Sequence, residues 1–169
     1  YSPAAYTDAD GNSQSVDMYF VVVSVSPAEV YITAPTNDDP FKTDVQANVL
    51  TIPSTVTNGS VTYTVTGIED PVSGAEAGTF SYGNSSFKKI VLPKTLIHLK
   101  GVDPLNAPTA AFAVEDGNPA FWADDRGVLY NSDKSQIVHL PTRSTLSTLD
   151  VTTETNIAPY AFAHCTNLK

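Results

Sequence analysis

A single cysteine and three histidines are the residue types in this chain that could perform nucleophilic catalysis. Cys165 directly follows His164, whereas His98 and His139 lie far upstream. A cysteine nucleophile needs a base within hydrogen-bonding distance and a third group that orients the base. Adjacent side chains usually point apart, so we expect Cys165 to be a small buried side chain instead. The spacing of zinc ligands is also missing, and we predict no metal and no other cofactor.

Three groups of acidic residues could bind a cation or act as acid and base. Asp8, Asp10 and Asn12 have the spacing of the first ligands of a calcium loop, but the glycine and the final glutamate of such a loop are out of place. We interpret this segment as a turn. The pairs Asp38-Asp39 and Asp124-Asp125 match glycosidase carboxylates in residue type only, because nothing places two of them across a cleft. Solvated loops are the expected setting of both pairs.

Two adjacent aromatic residues are candidates for ligand contact. Phe121 and Trp122 precede Tyr130 by a few residues. An exposed aromatic ring can stack on a sugar or anchor a protein partner. We expect Phe121 to pack inward, and Trp122 to be the ring available for such contact.

The charge and composition of the chain restrict its function class. Its 169 residues carry 18 acidic against 9 basic side chains, a net charge of −9. Such a surface repels nucleic-acid phosphates and anionic lipids, so neither partner is expected. The apolar runs are too short to span a membrane, so no membrane insertion is predicted. Only 16% of residues are charged, while 12 prolines and 9 glycines favour many corners and short strands.

One apolar phrase occurs three times and predicts the architecture. Its copies are Ala47-x-x-Leu50-x-Ile52, Phe87-x-x-Ile90-x-Leu92 and Leu146-x-x-Leu149-x-Val151. Apolar residues at i, i+3 and i+5 fit neither a helix face nor an alternating strand, and are typical of leucine-rich repeats. We therefore predict a β-rich α/β solenoid, in which short parallel strands stack.

The predicted organisation has two parts. Residues 1–46 are expected to form an N-terminal β-strand cap, with strands at 18–25 and 29–33, because the first repeat has an open apolar end. Residues 47–169 would contain the repeats. A hairpin within 128–140 is predicted to be inserted among them. We also expect a short helical turn near Pro159 to His164.

Several ordered phrases resemble one family. Ala161 to Lys169 is similar to the A-F-x-x-C-x-x-L phrase of BspA-type leucine-rich repeat proteins, and Leu50 to Pro53 followed by Val65 to Ile68 resembles the strand pair of that family. Asn118 to Tyr130 resembles a longer variant of the repeat. The match covers roughly 47–169. The resemblance implies a bacterial protein that is secreted or held on the outer cell surface, and similarity to adhesins that bind host matrix proteins or other cells.

We therefore expect a non-enzymatic surface protein that binds a protein partner of the extracellular matrix or of a cell surface. The open face of the strands would make the contact, with Lys88 and Lys89 among its exposed residues. A carbohydrate-binding module that uses Trp122 is the first alternative, with a glycan as its partner. A structural spacer for a further domain is the second. The sequence contains no signal peptide, and we expect it to be the front part of a longer protein.

Overall fold

The computed structural model describes residues 1–34, 40–41, 43–70, 79–80, 85–151 and 156–169, which excludes the pair Asp38-Asp39. Within these residues the chain forms short strands and turns, and no helix occurs. The α/β part of the predicted fold class is therefore wrong for the described residues, which are all-β. The physical reason is composition: frequent prolines and β-branched residues favour short strands and corners over helical turns.

The strands of the described residues are, in chain order, β1 (Ser2–Thr7), β2 (Ser13–Met18), β3 (Phe20–Val25), β4 (Ala28–Ile32), β5 (Gln46–Thr51), β6 (Thr55–Asn58), β7 (Val61–Glu69), β8 (Ser86–Leu92), β9 (His98–Lys100), β10 (Phe112–Val114), β11 (Phe121–Ala123), β12 (Leu129–Asn131), β13 (Gln136–His139) and β14 (Asn156–Ile157).

The strands pair into three open sheets. Sheet A has the order β10-β8-β5-β1-β2, sheet B the order β3-β4-β7-β6 with β9 also paired to β7, and sheet C the order β11-β12-β13-β14. From β4 to β10 the chain passes alternately between sheets B and A. Parallel pairing joins β5, β8 and β10 in sheet A and β4, β7 and β9 in sheet B. The short parallel strands that the repeats predict are thus present, together with antiparallel hairpins.

The first two copies of the apolar phrase form the centre of sheet A. Ala47 pairs with Phe87 and Leu50 with Ile90 in parallel register, so equivalent positions of the two copies lie side by side. All six apolar positions of these copies are buried. Burying each large side chain stabilises the fold by about 1.5 to 3 kcal/mol. The two residues between the first and second apolar positions are left on or near the surface.

The third copy does not form a strand, and this part of the repeat prediction is wrong. Leu146 and Leu149 are half-buried, and Val151 is 39% exposed. The segment is held differently, because the carbonyl oxygen of Ser147 accepts a hydrogen bond of 3.0 Å from the amide of Lys169. Its leucines pack against a small apolar cluster beside sheet C, whereas the first two copies face the main core.

The main core lies between sheets A and B. Leu50 and Ile90 of sheet A and Ile32 and Ile68 of sheet B are fully buried members of one apolar cluster. Phe121 packs against this cluster from sheet C, as the sequence predicts. Sheets A and B are therefore held together by one continuous core, which sheet C contacts through Phe121.

A second, smaller core lies under the C-terminal arc. Ala161 is buried there, and Phe162, Cys165 and Leu168 pack against the same cluster, which agrees with the A-F-x-x-C-x-x-L phrase. The helical turn predicted near Pro159 to His164 is replaced by successive tight turns. Tyr160 and His164 have φ values of 62° and 61°, in the left-handed region, and such residues interrupt a right-handed helix.

The N-terminal segment is more strand-rich than the sequence predicts. β1 and β2 form an antiparallel hairpin before the two strands predicted for this segment, and β1 also pairs with β5 of sheet A. The predicted strand at 18–25 is observed as β3, and the strand at 29–33 as β4, which pairs with β7 of sheet B. The hairpin predicted within 128–140 is confirmed as β12 and β13.

Candidate functional site

A shallow groove of about 290 Å³ lies on sheet A, across β5 and β8. Asn48 on β5 and Ser86 and Lys88 on β8 line its floor. Ala9, in the turn between β1 and β2, and Arg143, in the loop after β13, line its sides. We call this the basic groove, because Lys88 and Arg143 are the ionised side chains among the described residues that line it.

The basic groove gathers positive charge on an acidic chain. Lys88 and its neighbour Lys89 are both exposed because they occupy the positions between the buried Phe87 and Ile90. Arg143 is exposed as well, and its backbone amide donates a 2.9 Å hydrogen bond to the carbonyl oxygen of Thr109. In the described part of the chain none of these three side chains forms an ion pair. They are three of the nine basic residues of the sequence, so their charges remain available to a ligand.

The turn beside the groove is held by a dense set of hydrogen bonds. The Asp8 carboxylate accepts hydrogen bonds from the amides of Asp10 and Asn12, at 3.0 and 2.9 Å. The Asn12 amide lowers the pKa of Asp8 by stabilising its charged form. Asn48 ties the turn to β5 by donating to the carbonyl oxygens of Asp8 and Ala9, at 2.6 and 3.0 Å. This segment is thus the predicted turn, with the Asp8 carboxylate engaged by the chain itself.

Trp122 lies at the edge of sheet C and is 37% exposed. Its indole ring is not an open platform. The ring centroid of Tyr130 is 5.5 Å away at a tilt of 46°, and the ammonium nitrogen of Lys134 lies 3.9 Å from the indole centroid. A sugar would have to displace Lys134 or use the remaining exposed part of the ring. The role of Trp122 as a contact residue stays a prediction.

Asp124, the first residue of the Asp124-Asp125 pair, holds the loop between β11 and β12 together through hydrogen bonds. Asp124 accepts a 2.6 Å hydrogen bond from Nε of Arg126, and this contact raises the pKa of the Arg126 guanidinium. Arg126 also donates to the hydroxyl oxygen of the buried Tyr130 at 3.1 Å. Because the Asp124 carboxylate holds the loop and Asp125 is exposed beside it, the pair has the geometry of a structural turn and not of two facing carboxylates.

A buried pair formed by Asp103 and His139 was not predicted from the sequence. Nε2 of His139 lies 3.1 Å from Oδ1 of Asp103, and the two residues are only 3% and 7% exposed. They are separated by 36 positions in the sequence. The His139 ring also meets Phe112 edge-on, with centroids 5.8 Å apart. Packing of the loop after β9 against β13 brings the pair together.

Cys165 is half-buried, and its thiol is poorly suited to nucleophilic attack. Its Sγ lies 3.4 Å from the carbonyl oxygens of Leu140 and Ala163. Burial, with a smaller contribution from the negative charge of Asp103, raises the pKa of the thiol to about 11. The reactive form of cysteine is the thiolate, so this thiol is almost wholly inactive at neutral pH. Cys165 packs against the smaller apolar cluster, but it is half-buried and not fully buried as the sequence predicts.

The described residues contain no group of three or more His, Cys, Asp or Glu side chains arranged to hold a metal ion. His98 lies on β9 with its ring 5.9 Å from that of Tyr31, and His164 is exposed in the C-terminal turns.

Sequence analysis did not predict that Arg143 lines the groove, because Arg143 lies in a loop that carries no recognisable motif. Exposed basic residues on an acidic chain are the one signal that could have identified it.

Among the comparisons with known proteins, only the comparison with solved structures found similar chains. No protein-family profile matches the chain, and neither does any curated protein. A leucine-rich repeat protein from Eubacterium ventriosum is 26% identical over 62% of this chain and 26% of its own length, with a TM-score of 0.46. A leucine-rich cell-surface protein from Faecalibacterium prausnitzii is 21% identical over 100% of this chain and 36% of its own, also at 0.46.

The pneumococcal vaccine antigen PcpA is 15% identical over 91% of this chain and 63% of its own length, with a TM-score of 0.41. The chain resembles bacterial leucine-rich repeat proteins. The chain spans less than two thirds of the length of each of these three proteins. No helix in the part of the chain that the structure describes has the length and hydropathy of a membrane span.

Proposed function

We propose that the chain is a non-enzymatic binding module of the bacterial cell surface, or of a secreted protein, and that the basic groove contacts an acidic segment of a protein partner. The observation that carries this proposal is the placement of Lys88 and Arg143 in one groove of a chain with a net charge of −9, with the exposed Lys89 next to Lys88 in β8. Unpaired positive charge concentrated on a rigid sheet attracts and orients an acidic partner.

The groove is suited to a protein segment. It lies on a sheet whose neighbouring strands are locked in register, so a partner meets a preformed surface and little ordering cost opposes binding. The raised pKa of Cys165 and the engaged carboxylate of Asp124 argue against catalysis at these two positions. Adhesion to matrix proteins or to neighbouring cells is the role that this surface supports best.

The experiment measures binding of the chain to a panel of immobilised extracellular matrix proteins and to a glycan array. The test variant is the double substitution Lys88→Gln and Arg143→Gln. The control is Lys94→Gln with Lys169→Gln, which changes the net charge equally at residues outside the groove. We expect the groove variant to lose about tenfold or more in affinity at low salt, and the control less than about twofold.

Two outcomes would contradict the proposal. Equal losses in both double variants would show that overall charge and not the groove governs binding. Glycan binding that is abolished by Trp122→Ala, with no protein binding, would favour the carbohydrate module instead. The occupied surroundings of Trp122 give no support to that alternative.

A further inference from the structure

A second concavity lies away from the basic groove, where the loop after β9 meets sheet C and the C-terminal arc. Its volume is about 300 Å³, at the lower end of the range for small-ligand pockets. Most of its wall is apolar. The walls include Leu99, Val102, Leu105, Phe121, Val138 and Ala158. We call it the β9 cleft.

The ionisable side chains that line the β9 cleft are Asp103 and His139, among the described residues. Their mutual contact uses Oδ1 of Asp103 and Nε2 of His139. The other polar atom of each side chain, Oδ2 of Asp103 and Nδ1 of His139, is buried and has no hydrogen-bond partner in the described residues. Buried polar atoms are nearly always paired in folded proteins, so two unpaired atoms on two residues that line the same cleft are an unusual feature.

The chemistry of the orphan atoms indicates the kind of ligand they would accept. A neutral His139 that donates from Nε2 to Asp103 leaves Nδ1 as an acceptor, and Oδ2 of Asp103 is also an acceptor. In that tautomer both unpaired atoms are acceptors, and no lysine or arginine is among the described residues that line the cleft. An unpaired buried carboxylate oxygen costs free energy that a cationic donor would offset.

Geometry favours an ammonium group over a guanidinium. Guanidinium binds best when both carboxylate oxygens accept from its planar fork, but His139 already occupies Oδ1 of Asp103. An ammonium group is a point donor that needs only the single oxygen Oδ2. The apolar walls fit the aliphatic stem that carries such a group, in the way that lysine stems lie along apolar surfaces.

We propose that the β9 cleft is a binding site for a primary alkylammonium group, either the side chain of a lysine in a polypeptide or a free aliphatic amine. The stem contacts the walls formed by residues such as Leu105 and Val138, and the ammonium group donates to Oδ2 of Asp103. This site is separate from the basic groove and binds a ligand of the opposite charge. The experiment on one site can therefore contradict its proposal without affecting the other proposal.

The experiment titrates the intact chain with three matched probes and follows backbone amide signals by NMR. Nα-acetyl-lysine N-methylamide carries the ammonium, its norleucine counterpart has the same stem without charge, and its arginine counterpart carries guanidinium. We expect the lysine probe to shift signals of the cleft residues with a millimolar dissociation constant. The norleucine and arginine probes should bind at least about five- to tenfold more weakly. Pentylammonium serves as a free amine, and comparison of its affinity with that of the lysine probe distinguishes the two sources.

Variants locate the site. Asp103→Asn should abolish the preference for the lysine probe over the norleucine probe, whereas Asp125→Asn, an exposed change of equal charge, should leave it unchanged. Because Asp103→Asn could disturb the pair with His139, Ala158→Leu is a second variant that fills the cleft and keeps the pair. It should weaken every probe. Equal affinity for the lysine and norleucine probes, signal shifts outside the cleft, or lysine binding unaffected by Asp103→Asn in a folded protein would overturn the proposal.

Discussion

The ammonium nitrogen of Lys134 lies 3.9 Å from the centre of the Trp122 indole ring. Lys134 occupies the turn between β12 and β13 with a φ of 64°, in the left-handed region. A cation held over an indole face is attracted by the negative potential of the ring. Because Trp122 is the single tryptophan of the chain, tryptophan fluorescence reports on the surroundings of this one ring, which include Lys134.

Lys134→Ala should therefore lower the free energy of unfolding by about 0.5 to 1 kcal/mol and change the emission of Trp122. Alanine also pays the strain of a left-handed backbone, and it removes the ammonium group together with the aliphatic stem that carries it. Fluorescence spectra and urea denaturation measure the two effects. Lys94→Ala, at another exposed lysine, is the control and should alter neither. Unchanged emission in Lys134→Ala would mean that the contact does not persist in solution.

Equivalent leucines of the apolar phrase should differ in their contribution to stability. Leu50 in the first copy is fully buried, while Leu149 at the same position of the third copy is half-buried outside any strand. Leu50→Ala should destabilise the protein by about 3 to 4 kcal/mol and Leu149→Ala by about 1 kcal/mol. Chemical denaturation of the two variants tests this, and equal losses would show that the third copy is packed like the first.

Replacement of Gly127 by any other residue should lower the stability of the fold strongly. Its φ is +79°, and a Cβ there would clash with the Cβ of Ala111 and lie 2.6 Å from its Cα. Gly117 has nearly the same φ, +82°, but open space around it. Gly117→Ala should cost about 1 kcal/mol from backbone strain alone, and Gly127→Ala about 2 kcal/mol more from the clash. Thermal denaturation compares them; a difference near zero would mean that the Ala111 segment shifts freely.

Cys165 should react slowly with thiol reagents in the folded protein. With a pKa of about 11, about one thiol in a thousand is ionised at pH 8. The rate of reaction with an aromatic disulfide reagent should rise through pH 9 and 10 and reach the rate of a model thiol when the chain is unfolded in guanidinium. Fast reaction at pH 7 in the folded state would contradict the assignment of Cys165 as a packing residue.

The Asp8 turn should make a small contribution to stability that depends on pH. The folded-state pKa of Asp8 is lowered, so the contribution is present above the unfolded pKa of about 3.9 and is lost as pH falls through the folded value. Asp8→Asn should therefore lower the thermal midpoint at pH 6, with the difference from the original chain shrinking toward pH 2. Asp125→Asn is the exposed control. A difference that grew on acidification would contradict the direction of the shift.

Sequence analysis predicted correctly the structure of those residues whose position depends on the local apolar pattern. The phrase around Leu50 and Ile90 predicts both strands and their buried faces, because apolar spacing is a property of the strand itself. The pair of Asp103 and His139 and the groove position of Arg143 escaped prediction, because each depends on loops that only the folded sheets bring together. The prediction of a strand in the third copy was wrong for the same reason. Apolar spacing alone does not provide a neighbouring strand with which the segment around Leu149 could pair.

The parallel pairing of β5 with β8 also determines when the fold can form. The Val45 amide, just before β5, donates to the Ser85 hydroxyl, just before β8, across 40 positions of sequence. Contacts of this range carry a loop-closure cost before any burial offsets it. We expect folding in milliseconds to seconds and not in microseconds. During synthesis β5 has only β1 as a partner until β8 has emerged, so the central sheet is completed late and in chain order.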